Sequence, residues 1–360
     1  MEYALYAILA VFLFWGARVC KWKEWNEDVL SYNQTKSFLS FCAIIIILHH
    51  CSQRTCAPWL SPRLIVPGLD VFVYVGYLCV AVFFFCSGFG MYTSSHKKKE
   101  FFKGYYKRLL KILIPAVIMW LVFFFVEKAK GVRVDPPVWI NTYDYIWYIP
   151  AMVYMYLIFF LAYRIIKNET AAVVTIIIGS CVYFVLCMFF SPGTWWYNTT
   201  HLFAAGVITA KHKERILSVL KKGYPIWLIL SLAITVSGFY ISSYYYDFVT
   251  TFKLEWQEST YSIAEITGQV LSALFFVIFV ILVGMKVKIG NKVLLFLGVF
   301  TLEIYLVHPL FVQLFSFAFI KPSAAPLYHI ENPFLYAAAV VAVSVPLAYG
   351  LHRGIKAVLK

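Results

Sequence analysis

The segment IIIILHHCSQR, residues 44–54, ends a run of strongly apolar residues on two adjacent histidines. In water such a pair needs no explanation. At the end of a helix buried in lipid, however, two imidazoles must be hydrogen-bonded, reach water or serve a function. The interpretation of this segment therefore depends on whether lipid or water surrounds the chain.

The composition is that of a membrane protein. Of the 360 residues, 62% are hydrophobic and only 13% are charged, whereas soluble proteins carry about 25% charged residues. A helix needs about 20 apolar residues to cross the hydrocarbon layer. The sequence predicts an all-α integral membrane protein, a polytopic bundle of about eleven transmembrane helices. The eleven apolar blocks are 3–17, 37–51, 69–95, 109–127, 145–163, 171–191, 195–210, 224–243, 263–284, 293–320 and 333–352.

The basic residues predict the orientation of this bundle. Twenty-four of the 31 lysines and arginines fall in alternate loops on one side of the predicted helices, and such loops are retained in the cytoplasm. The N-terminus is therefore predicted outside and the C-terminus in the cytoplasm, for a multi-pass protein of the plasma membrane. Because topology accounts for the net charge of +14, no nucleic acid partner is predicted.

The eight cysteines lie mostly inside the apolar blocks, where cysteine behaves as a small apolar residue. Cys51 and Cys56 could pair at the outer face. The HHC sequence could be taken for a zinc site, but adjacent residues on a helix diverge by about 100° and this spacing matches no common zinc motif. No metal site is predicted.

Two stretches place titratable groups in the apolar blocks. His49 and His50 could be interfacial imidazoles that reach headgroups or water, or one of them could face the bundle interior as a proton acceptor. Glu303 and His308 lie well inside LGVFTLEIYLVHPLF, residues 297–311. Five residues apart on a helix, they point about 140° from each other, so each is expected to have a partner on another helix.

Arg108 and Lys111 are three residues apart and are predicted to share a helix face at the cytoplasmic surface. They could be solvated topology signals, contacts of lipid headgroups or ligands of phosphate groups.

Small and aromatic residues mark several predicted helix ends. Ser87, with Gly88 and Gly90, permits close helix packing. Near the outer ends of other helices lie Trp147, Trp196 and His201, which are typical of an aromatic belt and would also suit the mouth of a sugar-binding cavity.

Five stretches, in this order, resemble the integral membrane acyltransferase family 3: LHH, FFFCSGFGM, YKRLLKILIP, WYIPAMVYMYLIF and LEIYLVHP. The sequence departs from the family pattern where Lys111 replaces the second arginine, where Ala81 replaces a frequent acidic residue, and near Ser40, where an arginine is missing. The resemblance implies an extra transmembrane helix and cytoplasmic loop over residues 1–30, and a ten-helix acyltransferase domain over 31–360.

The resemblance further implies transfer of an acyl group, usually acetyl from acetyl-CoA in the cytoplasm, to a hydroxyl of a cell-surface polysaccharide or other glycan. The expected partners are acyl-CoA, a glycan or glycolipid acceptor and membrane lipids; the oligomeric state stays open. We expect His50, or alternatively His49, to act as base or transient acyl acceptor, and Glu303 to orient an imidazole. Arg108 and Lys111 would bind the phosphates of the coenzyme, and Ser87 and His308 would have structural or oxyanion roles.

Two other classes of function compete with this interpretation. Buried histidine and glutamate with basic loops would also suit a proton-coupled transporter of a glycan or lipid precursor, although paired glycine- or proline-broken helices in two halves are missing. A scaffold of an envelope-assembly complex would tolerate the loss of both histidines.

Overall fold

The computed structural model describes residues 2–61, 64–129, 144–190, 193–252, 258–315 and 330–359. Over these residues the chain forms fourteen α-helices: α1 Glu2–Phe14, α2 Tyr32–Gln53, α3 Gly76–Lys97, α4 Tyr105–Ala129, α5 Tyr148–Ile165, α6 Glu169–Phe190, α7 His201–Lys211, α8 Lys213–Lys222, α9 Tyr224–Ser243, α10 Tyr245–Phe252, α11 Glu258–Lys286, α12 Lys292–Leu297, α13 Thr301–Leu314 and α14 Pro333–Val358.

The predicted fold class is confirmed, since the chain is an all-α polytopic membrane protein. Among the described residues, eight helices are long and apolar enough to cross a membrane, and two shorter apolar helices cover Tyr3–Phe14 and Thr301–Leu314. The strands in these ranges are β1, Arg18–Val19, and β2, Val287–Lys288, which pair antiparallel. This short ribbon joins the chain after α1 to the chain after α11.

Several helices differ in length from the predicted blocks. The block 293–320 divides into α12 and α13, because the backbone leaves the helical conformation at Phe300. Gly298 allows a close approach to α2, since a side chain there would begin 2.7 Å from the carbonyl oxygen of Lys36. Residues 316–320 of that block lie outside the described residues. Within block 195–210 the α-helix begins only at His201, after a 3₁₀ turn at Thr194–Trp196. Hydropathy does not predict α8, which is polar and amphipathic.

The centre of the bundle is α2, the most buried of the long helices. It packs against α3, α12, α13 and α14. The hydroxyl group of Ser40 on α2 donates to the carbonyl of Leu294, and the amide NH of Ile289 donates to Gln34 Oε1 over 3.0 Å. These contacts fix the beginning of α2 beside α12.

Two helix pairs approach closely through glycine, as small residues in membrane helices allow. A side chain at Gly88 of α3 would overlap the carbonyl oxygen of Phe203 in α7, and one at Gly206 of α7 would overlap that of Phe85. Gly238 of α9 and Gly268 of α11 meet in the same way. The predicted packing role of Gly88 is thus confirmed, whereas a side chain at Gly90 would meet nothing within 4 Å.

The two ends of the bundle differ in charge. We call the end where α2 begins and α3 finishes, near Lys36 and Lys97, the basic face. The end where α2 finishes and α3 begins, near Arg54 and Gly76, is called the opposite face. The basic residues of the sequence predict that the basic face is cytoplasmic.

Candidate functional site

The two histidines of α2 have different partners. The Nδ1 atom of His50 lies 2.7 Å from Nε2 of His308 in α13, and the two rings stack with centroids 5.0 Å apart and planes 5° apart. Both residues are buried, His308 completely. The sequence-based expectation that His308 has its partner on another helix is confirmed.

The backbone sets the protonation of this pair. His308 Nδ1 lies 3.0 Å from the carbonyl oxygen of Ile304, one turn earlier on α13. Because a carbonyl only accepts, this nitrogen carries the proton, and a neutral His308 then has a lone pair at Nε2. The proton between the two rings therefore belongs to His50 Nδ1. A neutral His50 carries its own lone pair at Nε2, which is the protonation state that a general base needs.

His49 is directed toward α3. Its Nδ1 donates to the carbonyl oxygen of Phe72 over 2.8 Å, and its ring occupies the space that a side chain at Gly76 would fill. The centroids of the His49 and His50 rings are 4.8 Å apart. Each of the two histidines thus donates its Nδ1 proton to an acceptor. Among the described hydrogen bonds of these two residues, only that of His50 is to another titratable side chain.

Glu303 is also paired across helices, as expected. Its Oε1 lies 2.9 Å from His352 Nδ1 on α14, and the carboxylate is buried. The imidazole that Glu303 contacts is therefore His352 of the last helix. This pair lies at the beginning of α13 and near the end of α14, on the basic side of His308.

A cavity of about 950 Å³, here called the deep cavity, opens at the basic face between α2, α3, α4, α5 and α13. Its deep end is lined by Ile46, Tyr148 and Tyr305. Ile46 lies one helical turn before His50, and the Tyr305 ring centroid is 5.9 Å from that of His308. The cavity therefore ends about one helical turn from the paired histidines.

Cationic side chains surround the mouth of the deep cavity. Lys36, Lys97, Arg108 and Lys213 all line it. The Arg108 guanidinium lies over the Phe101 ring, 4.4 Å from its centroid, which holds the planar group in place. Lys111 is exposed and does not line this cavity, although its spacing of three residues places it on the same side of α4 as Arg108.

Ser87 lies on the wall of the deep cavity. Its hydroxyl lies near the phenol groups of Tyr148 and Tyr156. The Tyr148 ring in turn packs against Tyr305, with centroids 5.1 Å apart. Side chains with hydroxyl groups thus line the wall of the cavity between Ser87 and His308.

The three aromatic candidates do not line the deep cavity. Trp147 is buried behind Tyr148, with ring centroids 6.0 Å apart. Trp196 lies in the 3₁₀ turn before α7. His201 begins α7, and its buried ring nitrogens lie near the backbone of Val270 in α11.

Lys36, Tyr148 and Tyr305 are among the residues of the deep cavity that sequence reasoning missed. Helical spacing could have indicated two of them. Tyr305 lies three residues before His308, on the same face of α13. Lys36 lies fourteen residues before His50, which leaves the two side chains about 40° apart around α2. Tyr148, at the start of α5, reaches the site through a tertiary contact of its ring with that of Tyr305.

One family model matches the chain, a model described as an acyltransferase domain, from acyltransferase family 3; it covers residues 40–353. This range includes both histidines of α2, the Glu303–His352 pair and most residues that line the deep cavity; it begins after α1 and after Lys36. Comparisons with curated proteins and with solved structures found no match.

Proposed function

The chain belongs to the acyltransferase family whose model it matches, and we propose that it transfers an acetyl group from acetyl-CoA to a hydroxyl of a cell-surface glycan. Family membership gives the coarser statement, a membrane acyltransferase. The donor, the acceptor and the residue roles are our proposal, and the geometry of the deep cavity supports them.

The observation that carries the proposal is the course of the deep cavity. It runs from the cations of the basic face to the tyrosines beside His308. Lys36 near its mouth and His50 beyond its end are fourteen residues apart on α2, about 21 Å along the helix axis. A donor with an anionic head and a long narrow arm that ends in a thioester matches this shape and charge.

In this arrangement Lys36 and Arg108 bind the phosphates of the coenzyme. Arginine offers a planar fork for phosphate oxygens and lysine a compact charge. The apolar and aromatic walls around Met152, Phe83 and Tyr156 then surround the arm of the donor. The acyl group reaches Tyr148 and Tyr305, which supply hydroxyl donors near the carbonyl oxygen of the thioester.

The proposed reaction is a direct transfer with His50 as general base. The acceptor hydroxyl gives its proton to His50 Nε2 while its oxygen attacks the thioester carbonyl carbon, and a tetrahedral oxyanion forms. Phenol donors stabilise this oxyanion, as preorganised donors do in other acyl transfers. The C–S bond then breaks, the coenzyme leaves as thiolate, and the proton on His50 passes to that sulfur. The products are an O-acetylated sugar and coenzyme A.

A proton-coupled transporter is the second candidate, because buried histidine and glutamate residues occur in both classes. Family membership favours the enzyme. The two functions also differ in a measurable way, since an acyltransferase needs no gradient across a membrane.

The test uses purified full-length protein in detergent, where no gradient can exist. The protein is mixed with acetyl-CoA and with glycan extracted from the envelope of cells that lack it. We expect free coenzyme A thiol to appear in step with acetylated glycan, measured by mass spectrometry, and both to form about 10²-fold or more slowly with His50→Ala. Absence of both products with the wild-type protein and its native glycan would overturn the proposal.

A further inference from the structure

A second cavity, of about 410 Å³, lies at the opposite face between the end of α2, the segment before α3, and the start of α10. We call it the tyrosine cavity. The lining residues that matter here are Asp70, Val73, Tyr74, Tyr244, Tyr245 and Asp247. Nothing in the proposed donor site uses any of them.

The tyrosine cavity shares a wall with the histidines. Val73 and Tyr74 line the cavity, while the adjoining carbonyl of Phe72 binds His49 Nδ1 over 2.8 Å and Gly76 makes room for the His49 ring. The segment 72–76 therefore has the cavity on one side and His49 on the other. The deep cavity therefore approaches the His50–His308 pair from the basic face, and the tyrosine cavity approaches His49 from the opposite face. The His49 and His50 ring centroids are 4.8 Å apart.

The lining combines flat rings with carboxylates. The Tyr74 and Tyr244 rings meet edge to face with centroids 5.4 Å apart, and Trp59 packs against Tyr74 at 6.2 Å with an exposed indole. Asp70 and Asp247 are exposed. Among the described residues that line this cavity there is no lysine or arginine.

This chemistry is selective for one class of ligand. Ionised carboxylates only accept hydrogen bonds, so they suit hydroxyl and ammonium groups and repel carboxylate and phosphate groups. Aromatic rings cover the apolar faces of a sugar ring and favour a nearby cation. The lining therefore favours a neutral or amino sugar over an acidic one.

We propose that the tyrosine cavity binds the acceptor, and that the sugar unit bound there is neutral or carries an amine. This inference rests on the proposed function, because it assigns the acceptor site of the same reaction. Asp70 and Asp247 accept hydrogen bonds from the sugar, and the rings of Tyr74 and Tyr244 pack against it. The acceptor hydroxyl then approaches the histidines from the opposite face while the donor approaches from the basic face.

The test measures binding without turnover. Purified protein is titrated with three oligosaccharides of similar length, made of glucose, of glucosamine and of galacturonic acid. The reporter is the fluorescence of Trp59, isolated by subtracting the signal of the Trp59→Phe protein. We expect the glucose or the glucosamine oligomer to bind, and the galacturonic acid oligomer to bind at least about tenfold more weakly.

The variant for this test is the double substitution Asp70→Asn with Asp247→Asn. It should weaken binding of the favoured oligosaccharide by about tenfold or more, the scale of one lost hydrogen bond to a charged group. Glu331→Gln is the matched control, because this exposed carboxylate precedes α14 and does not line the cavity. The control should bind as the wild type does.

The inference is overturned if neither neutral nor amino oligosaccharide binds, if the acidic oligomer binds equally well, or if the double variant binds like the wild type. Acetyl-CoA binding is measured on the same preparations by calorimetry. Normal acetyl-CoA binding and acetylation of native glycan, together with any of these results, would refute the acceptor site alone. Failure of acetyl-CoA to bind would instead refute the proposed function.

Discussion

His50 and His308 lie 258 residues apart in the sequence, yet His50 Nδ1 lies 2.7 Å from His308 Nε2 and the imidazole planes differ by 5°. The second nitrogen of His308 donates to the carbonyl oxygen of Ile304 over 3.0 Å. This chain of contacts directs the lone pair of His50 to Nε2. Four predictions concern this site and its packing, and a fifth concerns its orientation in the membrane.

We expect His50→Ala to reduce acetyl transfer by about 10²-fold or more, the contribution of a general base. His49→Ala should have a much smaller effect, because His49 is directed toward Phe72. Glycan acetylation is measured at matched protein levels in membranes. Near wild-type turnover in both variants would leave the histidines with a structural role, and loss in His49→Ala alone would transfer the role of base to His49.

Replacement of His308 tests whether it positions His50. His308→Leu removes the acceptor of the His50 proton, so the ring can rotate or change tautomer, and we expect kcat to fall by at least about tenfold. His308→Gln keeps an amide acceptor and should recover part of this loss. Acetyl-CoA affinity should not change in either variant. A purely structural role predicts instead that kcat follows the thermal stability of each variant, which is measured in detergent.

The cations at the mouth of the deep cavity are tested by binding. Arg108→Ala and Lys36→Ala should each weaken acetyl-CoA binding by about 1.5–3 kcal/mol, the scale of a hydrogen bond to a charged group. Lys111→Ala is the control, because Lys111 is exposed and outside the cavity. Calorimetry provides the dissociation constants. An equally large loss of acetyl-CoA affinity in Lys111→Ala would indicate that Arg108 and Lys111 bind the phosphates together, as their spacing in the sequence predicts. An unchanged affinity in Arg108→Ala would refute the phosphate site.

The contact of α3 with α7 is tested by adding a methyl group. Gly88→Ala should lower stability by about 1–3 kcal/mol or more, because the new side chain overlaps the carbonyl of Phe203 and the two helices must separate. Gly90→Ala, two residues later on the same helix, meets nothing within 4 Å and should be neutral. Thermal unfolding in detergent compares the two. Equal melting temperatures would contradict the close approach of these helices.

The orientation is tested with single cysteines in a protein from which the native cysteines have been removed. Ser61→Cys and Glu331→Cys should react with an impermeant reagent on intact cells. Lys98→Cys and Glu214→Cys should react only after permeabilisation, since basic loops are retained in the cytoplasm. All four positions are exposed. Labelling of Lys98→Cys from outside would reverse the orientation and with it the side from which the coenzyme enters.

The sequence by itself determined the fold class and the family. Hydropathy identifies the segments that lipid requires to be helical, because an unpaired backbone group in hydrocarbon costs several kcal/mol. It gave the correct class, and eight of the eleven predicted blocks correspond to long apolar helices among the described residues, but it overestimated the block 293–320, which is interrupted before Thr301. The expectation that Glu303 and His308 have partners on other helices also followed from the cost of burying them.

Only the tertiary structure identified those partners. The pairs His50–His308 and Glu303–His352 depend on how α2, α13 and α14 are rotated against one another, and a single sequence carries no signal for rotation between distant helices. Packing between helices also decides that Lys36 of α2 lines the deep cavity whereas Lys111 of α4 does not, and it brings Tyr148 of α5 against Tyr305 of α13. Local spacing fixes which side chains share one helix face, whereas packing between helices decides which faces meet.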